Sequence, residues 1–283
     1  MAQPIPPTAI VVPVFNDWAS LLPLAKGIAA AMAEHRPRLV VVDDGSSEPG
    51  PDLELLAHTG LAGEILRLHR NCGHQQAIAV GLCHVVARGG AEAIAVMDGD
   101  GEDRPQDLPR LLAALDGAPE GIVVAERARR HAPLGFRLFY RLYGFLFRLM
   151  TGQHLGFGNF CALGPAAAQR VVHMAELTIH VAATLLIARL PIRRLPIDRG
   201  PRYDGSSKMS FVSLTSHGLR SIAVFGETVL TRIVIAAVWI AGVGALALLI
   251  VFAMKLMGVA SPGWTTTVFG VVLGVVLQIA VAG

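Results

Sequence analysis

Along the first two hundred residues, short runs of β-branched and apolar residues alternate with longer stretches in which apolar positions recur near every 3.6 residues. The spacing predicts strands over Ala9–Val14, Leu39–Asp43, Glu64–Leu68, Ala93–Met97 and Gly121–Ala125. Between them it predicts helices over Trp18–His35, Leu53–Thr59, Gln75–Arg88 and Gln106–Leu115. A βαβαβ rhythm of this kind builds an α/β domain whose mostly parallel sheet is covered by helices, with ligands bound beyond the carboxyl ends of the strands.

After residue 208 the pattern changes. Phe211, Leu214, Leu219, Ile222, Val224 and Phe225 recur at near-helical spacing among Ser, Thr, His and Arg, which predicts interfacial amphipathic helices over 209–232. Ile233 to Met254 is then 22 residues without a charge. As a helix it would reach about 33 Å, enough for a hydrocarbon core of about 30 Å. Beyond Lys255 and a break at Gly258, Ser261, Pro262 and Gly263, a second apolar run follows. The expected organisation is a globular domain over 1–208, the interfacial segment 209–232, and a transmembrane region 233–283 with spans at about 233–254 and 264–283. The N-terminal stretch lacks the basic and apolar regions of a signal peptide, and Arg220 and Arg232 precede the first span. The expectation is a multi-pass membrane protein whose large domain is cytoplasmic. Two isolated spans per chain would pack best against further copies, so a homo-oligomer is a natural expectation.

Composition sharpens this picture. Hydrophobic residues are 53% and charged residues 16%, with mean hydropathy +0.54, too apolar for disorder or for an ordinary soluble enzyme. The 24 basic and 21 acidic residues leave a formal charge of only +3, which gives no footprint for nucleic acid. Cys72, Cys83 and Cys161 are odd in number and without CxxC spacing, so they read as reduced thiols.

The chemistry sits after the strands. Asp43-Asp44-Gly45-Ser46-Ser47 follows the second, where a carboxylate pair and a tight turn can receive a base or ribose, or serve as an Asx-turn and helix cap. Asn71, His74 and Gln75 open the helix after the third strand, where polar groups and backbone N–H can meet a sugar or phosphate. There is neither a GxGxxG nor a GxxxxGK[ST] pattern. After the fourth strand, Asp98, Asp100, Glu102 and Asp103 place four carboxylates within six residues. Their repulsion calls for a cation, and hard oxygen ligands favour Mg²⁺ or Mn²⁺. Asp98, Asp100 and Glu102 alternate, which in an extended segment points all three to one side. A calcium loop and a solvated acidic turn are the other readings of that segment, although the EF-hand spacing is missing.

In order along the chain, VPVFND at 12–17, VVDDGSS at 41–47, LHRNCGHQQAIAVGL at 68–82, MDGDGEDRP at 97–105, Arg127 and RYDGSSKMS at 202–210 precede the apolar spans. This ordered set resembles the family-2, GT-A-fold glycosyltransferases of the polyprenyl-phosphate (dolichol-phosphate) sugar synthase type. That family has an acidic residue with Gly-Phe-Arg where this chain reads GFGNFCAL at 156–163.

The resemblance implies a GT-A catalytic domain that moves a sugar, with inversion, from a UDP- or GDP-linked donor to a polyprenyl phosphate of the undecaprenyl or dolichyl kind. It implies donor contacts from Pro13, Phe15, Val42, Asp44, His74, Met97, Asp98 and Ser207, and a divalent metal, Mg²⁺ or Mn²⁺, on Asp98, Asp100 and Glu102. Catalytic roles fall to Asp98, Asp100, Arg127, Arg202 and Lys208. Arg137, Arg141, Asn159 and Arg202 become candidates for the acceptor phosphate. His74 is expected as a hydrogen-bonding residue rather than a base, because a lipid phosphate is already anionic at neutral pH. Two other readings remain: a family-2 enzyme acting on a lipid or polysaccharide hydroxyl, which would need a catalytic carboxylate, and a non-catalytic nucleotide-sugar-binding membrane protein.

Overall fold

The computed structural model describes residues 7–51, 56–126, 134–204, 211–258, 263, 267–274 and 278, and of these the side chains of 134–140 and 211 are left aside. Its centre is a seven-stranded sheet of order β3-β2-β1-β4-β6-β5-β7. The strands are β1 Thr8–Val14, β2 Arg38–Asp43, β3 Ala62–Arg67, β4 Ala93–Val96, β5 Ile122–Glu126, β6 Phe157–Leu163 and β7 Ile192–Pro196. β1, β2, β3 and β4 pair in parallel, as do β5 and β7, while β6 runs antiparallel to both of its neighbours. The sheet is mixed and mostly parallel.

Every residue of β1 is buried, because helices cover both faces. Alternation along the strand divides its side chains between two cores. Ala9 and Val11 join Val40, Val42, Ile78 and Leu82 on one face, where α2 (His74–Arg88), α5 (Pro165–Val172) and α6 (Val181–Ile187) pack. Ile10, Val12 and Val14 join Leu21, Leu24, Ile28, Leu108 and Leu111 on the other, under α1 (Trp18–Ala31) and α3 (Leu108–Ala113). The expected helix over 53–59 lies partly outside the described residues.

Elements between 126 and 208 carry no clear period in the sequence, and the structure supplies them. α4 (Leu134–Thr151) is amphipathic: Phe147 is buried, whereas Leu142, Phe145, Leu146 and Leu149 are exposed beside Arg141 and Arg148. β7 reads IRRLP and forms one edge of the sheet, so it never needed a buried apolar run. α7 (Phe211–Ala223) packs on α4, with the Tyr143 hydroxyl 2.5 Å from Ser221 Oγ.

By its contacts the chain divides into two compact units, Met1–Val224 and Phe225–Gly283. The second contains α8, Gly226–Leu256, a 31-residue helix with an 18-residue stretch of mean hydropathy 2.7, long and apolar enough to cross a membrane. It starts before the expected span and takes in Glu227 and Arg232. Only one such helix is found among the described residues, against the two expected. Of the stretch 264–283, residues 267–274 and 278 are helical and the rest lies outside the described residues.

α6 and α7 meet through two histidines. His180 caps α6: its Nδ1 accepts from the Ala183 N–H, so its proton is on Nε2, which faces His217 Nε2 at 3.1 Å. Protonating His180 would put a proton on Nδ1 and end the cap. Burial and the neighbouring His217 lower the His180 pKa from 6.5 to about 3, and burial with nearby His74 and Arg220 lowers that of His217. A histidine with a depressed folded pKa contributes stability in full above 6.5, and that stability is lost as pH falls toward about 3. The melting temperature should therefore drop between about pH 7 and about pH 5, and His180→Asn, which keeps a capping side chain, should shrink the drop. An equal drop in the variant would mean that this pair does not set the acid sensitivity.

Candidate active site

The loops at the carboxyl ends of β1, β2, β3, β4 and β7 meet along one edge of the sheet. At the end of β1, Asn16 adopts a left-handed φ of 48°, which Asn tolerates better than most residues. Its Oδ1 accepts from the Ser47 N–H at 2.9 Å and the Glu48 N–H at 3.3 Å, while its own N–H donates to Ser46 Oγ at 2.9 Å. Asp43 Oδ1 accepts from the Ser46 N–H, closing the DDGSS turn. Asp44, only 2% exposed, spends its carboxylate on the next loop: Oδ1 accepts from the Cys72 N–H at 2.7 Å and Oδ2 from the Gly73 N–H at 2.9 Å. Gly45, with φ +69°, lies against the Arg70 and Asn71 backbone so closely that a Cβ would overlap it.

The acidic segment is a turn, not the extended stretch expected. The Asp98 N–H donates to Asp103 Oδ2 at 2.9 Å, the Glu102 N–H donates to Asp100 Oδ1 at 2.9 Å, and Gly101 takes a left-handed φ of +89°. The carboxylates of Asp98, Asp100 and Glu102 are each met by a basic side chain, and Arg202 is shared by the last two. Asp98 Oδ1 lies 3.0 Å from His74 Nε2, Asp100 Oδ2 lies 2.7 Å from an Arg202 guanidinium nitrogen, and Glu102 pairs with both Arg199 and Arg202. Burial and the adjacent Asp98 charge push the Asp100 carboxyl above its ordinary range, against the pull of Arg202 and Arg199.

Asn159 enters from β6. The antiparallel register pairs Val96 with Cys161, which brings the start of β6 to the end of β4. Asn159 Nδ2 lies 3.1 Å from His74 Nε2, and its Oδ1 accepts from Gln75 Nε2 at 3.3 Å. Gln75 is buried, and its Oε1 accepts from the Val181 N–H at 2.6 Å.

These positions sort the expected site residues. Asp98, Asp100, His74, Arg202 and Asn159 are gathered in one place, and Phe15 is half exposed at the same edge. Val42 and Met97 are fully buried and Pro13 is buried within β1, so the two former side chains pack in the cores instead of reaching a donor. Asp44 is committed to the 72–73 backbone. Glu102 is held by two arginines, and among the described residues no three acidic, His or Cys side chains converge to hold a metal. A three-carboxylate site is thus not assembled. Asp98 and Asp100 still fit a divalent cation, as crowded hard-oxygen donors on one turn.

Arg141 is exposed on α4, away from these contacts, while Arg127, Ser207, Lys208 and the side chain of Arg137 lie outside the described residues. Sequence reasoning passed over Arg199, Asn16 and the bridging role of Gln75. Arg199 lies three residues before Arg202, and only the path of the chain shows that both face Glu102.

Residues 9–175 match the family described as glycosyl transferase family 2. The chain belongs to that family. It is 29% identical over 223 residues to the undecaprenyl-phosphate 4-deoxy-4-formamido-L-arabinose transferase of Salmonella paratyphi A, covering 75% of this chain and 65% of that protein. It therefore spans about two thirds of the length of these curated relatives. The dodecaprenyl-phosphate galacturonate synthase of Rhizobium johnstonii is 36% identical over 133 residues, 46% of this chain and 38% of that protein.

Among solved structures, the chain is similar to the glucosyl-3-phosphoglycerate synthase of Mycobacterium tuberculosis in complex with Mn²⁺, UDP-glucose and phosphoglyceric acid. The TM-score is 0.53 at 15% identity, over 80% of this chain and 79% of that one. The mannosyl-3-phosphoglycerate synthase of Rubrobacter xylanophilus gives a TM-score of 0.53 at 13% identity, over 80% and 75%. These likenesses establish the α/β GT-A fold of the glycosyltransferase domain.

Asp44→Ala should strand two half-buried N–H groups at a cost of about 1–3 kcal/mol, read by denaturant or thermal unfolding. Asp44→Asn should rescue only part of the loss, since its amide would face one of those N–H groups. Full rescue by Asn would show that the paired acceptors are not what matters.

Proposed function

We propose that this chain transfers a sugar from a nucleoside diphosphate donor to the phosphate of a polyprenyl lipid, with inversion and with a divalent cation. The observation that carries the reading is the close meeting of the Asp98–Asp100 carboxylates with Arg202 and His74 at the carboxyl edge of a GT-A sheet. The relatives named for undecaprenyl- and dodecaprenyl-phosphate sugars support the acceptor class. The Mn²⁺ and UDP-glucose complex of a fold relative supports the donor class and the metal.

Asp98 and Asp100 are the residues that would hold the cation. When bound, Mg²⁺ or Mn²⁺ supplies positive charge to the donor diphosphate as it leaves. Arg202 offers the leaving diphosphate a planar, permanently charged donor pair, and Lys208 and Arg127 are placed in the same role by sequence. Phe15 offers a half-exposed ring for the nucleotide base at the end of β1. Asn159 and His74, joined to each other, would direct the sugar or the acceptor phosphate. The attacking phosphate oxygen is already ionised near neutral pH, so no residue need remove its proton.

The acceptor is amphiphilic, and the chain carries surfaces suited to it. Leu142, Phe145, Leu146 and Leu149 on α4, and Val212 and Leu219 on α7, are exposed apolar residues interspersed with Arg141, Arg148 and Arg220. Such faces rest in the headgroup layer with arginines toward anionic lipid. The apolar helix α8 would anchor the chain in the same membrane, with the catalytic domain on its cytoplasmic side.

The test is product formation from a panel of nucleotide sugars with polyprenyl phosphate in detergent, with Mg²⁺, Mn²⁺ or EDTA. Sugar-lipid should appear only with metal, and Asp100→Ala should lower turnover by about 10²-fold or more, as loss of a charge-stabilising group does. Binding of a nucleotide sugar with no transfer to any lipid phosphate would sink the reading. Transfer to a lipid hydroxyl would replace it.

A further inference from the structure

The segment 199–203, which follows β7, is fastened along the acidic turn. The Gly200 N–H donates to the Glu102 carbonyl at 2.8 Å, and the Tyr203 N–H donates to the Asp100 carbonyl at 2.9 Å. The Tyr203 ring lies against Gly101, where any Cβ would overlap it. Across this strap Arg202 reaches Asp100 Oδ2 at 2.7 Å and, through Nε, Glu102 Oε1 at 3.2 Å. Asp100 Oδ1 already accepts the Glu102 N–H, so Arg202 sits on the oxygen left for a cation.

A guanidinium cannot give up its charge, so a divalent ion at Asp100 and Arg202 on the same oxygen repel each other. We infer that Arg202 is the counterion of Asp100 before the donor arrives and is exchanged for the incoming cation. The exchange frees its planar fork to turn to the donor diphosphate. Cation and nucleotide then bind cooperatively, because the first displaces the arginine that the second receives, and the coupling is reciprocal. Arg199 keeps Glu102 neutralised throughout, which leaves the strap in place. This inference rests on the proposal that Asp98 and Asp100 hold the cation.

The experiment measures Mn²⁺ binding to the full chain in detergent, by electron paramagnetic resonance or calorimetry, with and without UDP. Arg202→Gln should bind Mn²⁺ alone about tenfold more tightly than the unaltered chain, the size of one partly buried charge-assisted pair. UDP should tighten Mn²⁺ binding less in this variant than in the unaltered chain, and sugar transfer should fall. Arg202→Lys, which retains the charge without the fork, should fall between the two and serves as the second reading if Arg202→Gln unfolds. Unchanged or weaker Mn²⁺ binding in these variants would overturn the exchange, while its loss in Asp100→Asn would leave the metal site standing. Equal Mn²⁺ binding by Asp100→Asn and the unaltered chain would remove the metal site and the exchange together.

Discussion

Negative charges packed on a six-residue turn cannot coexist without compensation, and the edge of the sheet is arranged around that constraint. Asp98 takes His74 from the start of α2, Asp100 takes Arg202 from the strap after β7, and Glu102 takes Arg199 and Arg202 together. Asp103 accepts the Asp98 backbone N–H and closes the turn on itself. The acidic turn thus ties two distant stretches of chain, the start of α2 and the strap after β7, to the end of β4. The same contacts that neutralise it bring together the groups that a nucleoside diphosphate and its cation would need.

A second level of order is built from backbone N–H groups. Asp44 receives two of them from the 72–73 loop, Asn16 receives two from the 47–48 turn, and Gln75 receives one from the start of α6. Each of these side chains joins loops that follow different strands. Rigidity at the edge therefore comes from polar side chains bonded to main chain, of which Asp44 and Asn16 are short and lose little rotamer freedom on ordering. A loop edge fixed in this way can hold groups to the tolerance that charge stabilisation of a leaving group demands.

β1, β2, β4 and β5 were legible in the sequence because each is a short apolar run with β-branched residues bounded by turn formers, as a buried strand requires, whereas β3, an outer strand reading AGEILR, showed only its Glu-Ile-Leu centre. The acidic turn was legible as chemistry from its residue types, but not as geometry: Gly101 and the Asp98–Asp103 bond turn the chain, so alternation no longer puts the carboxylates on one side. Val42, Met97 and Asp44 lie within motifs of the resemblance, yet a motif does not say which of its side chains pack inward and which reach a ligand. β6 and β7 were silent because one mixes Gly, Asn and Cys and the other lies at the edge. The partnership of Asn159 with Gln75 and His74 depends on a register between segments more than eighty residues apart, which no local pattern encodes.

The sheet has two outer strands, β3 and β7, each hydrogen-bonded on one side only. An open strand of this kind is a template on which another chain can add. β7 answers with Arg193 and Arg194 in succession and ends in Pro196, while β3 carries Glu64, in contact with His84 and Arg88, and ends in Arg67. A further strand laid on either side would meet charge, and at Pro196 it would find no N–H to accept. The sheet is closed to growth by its chemistry instead of by its geometry, so crowded copies would be kept from merging through their sheets.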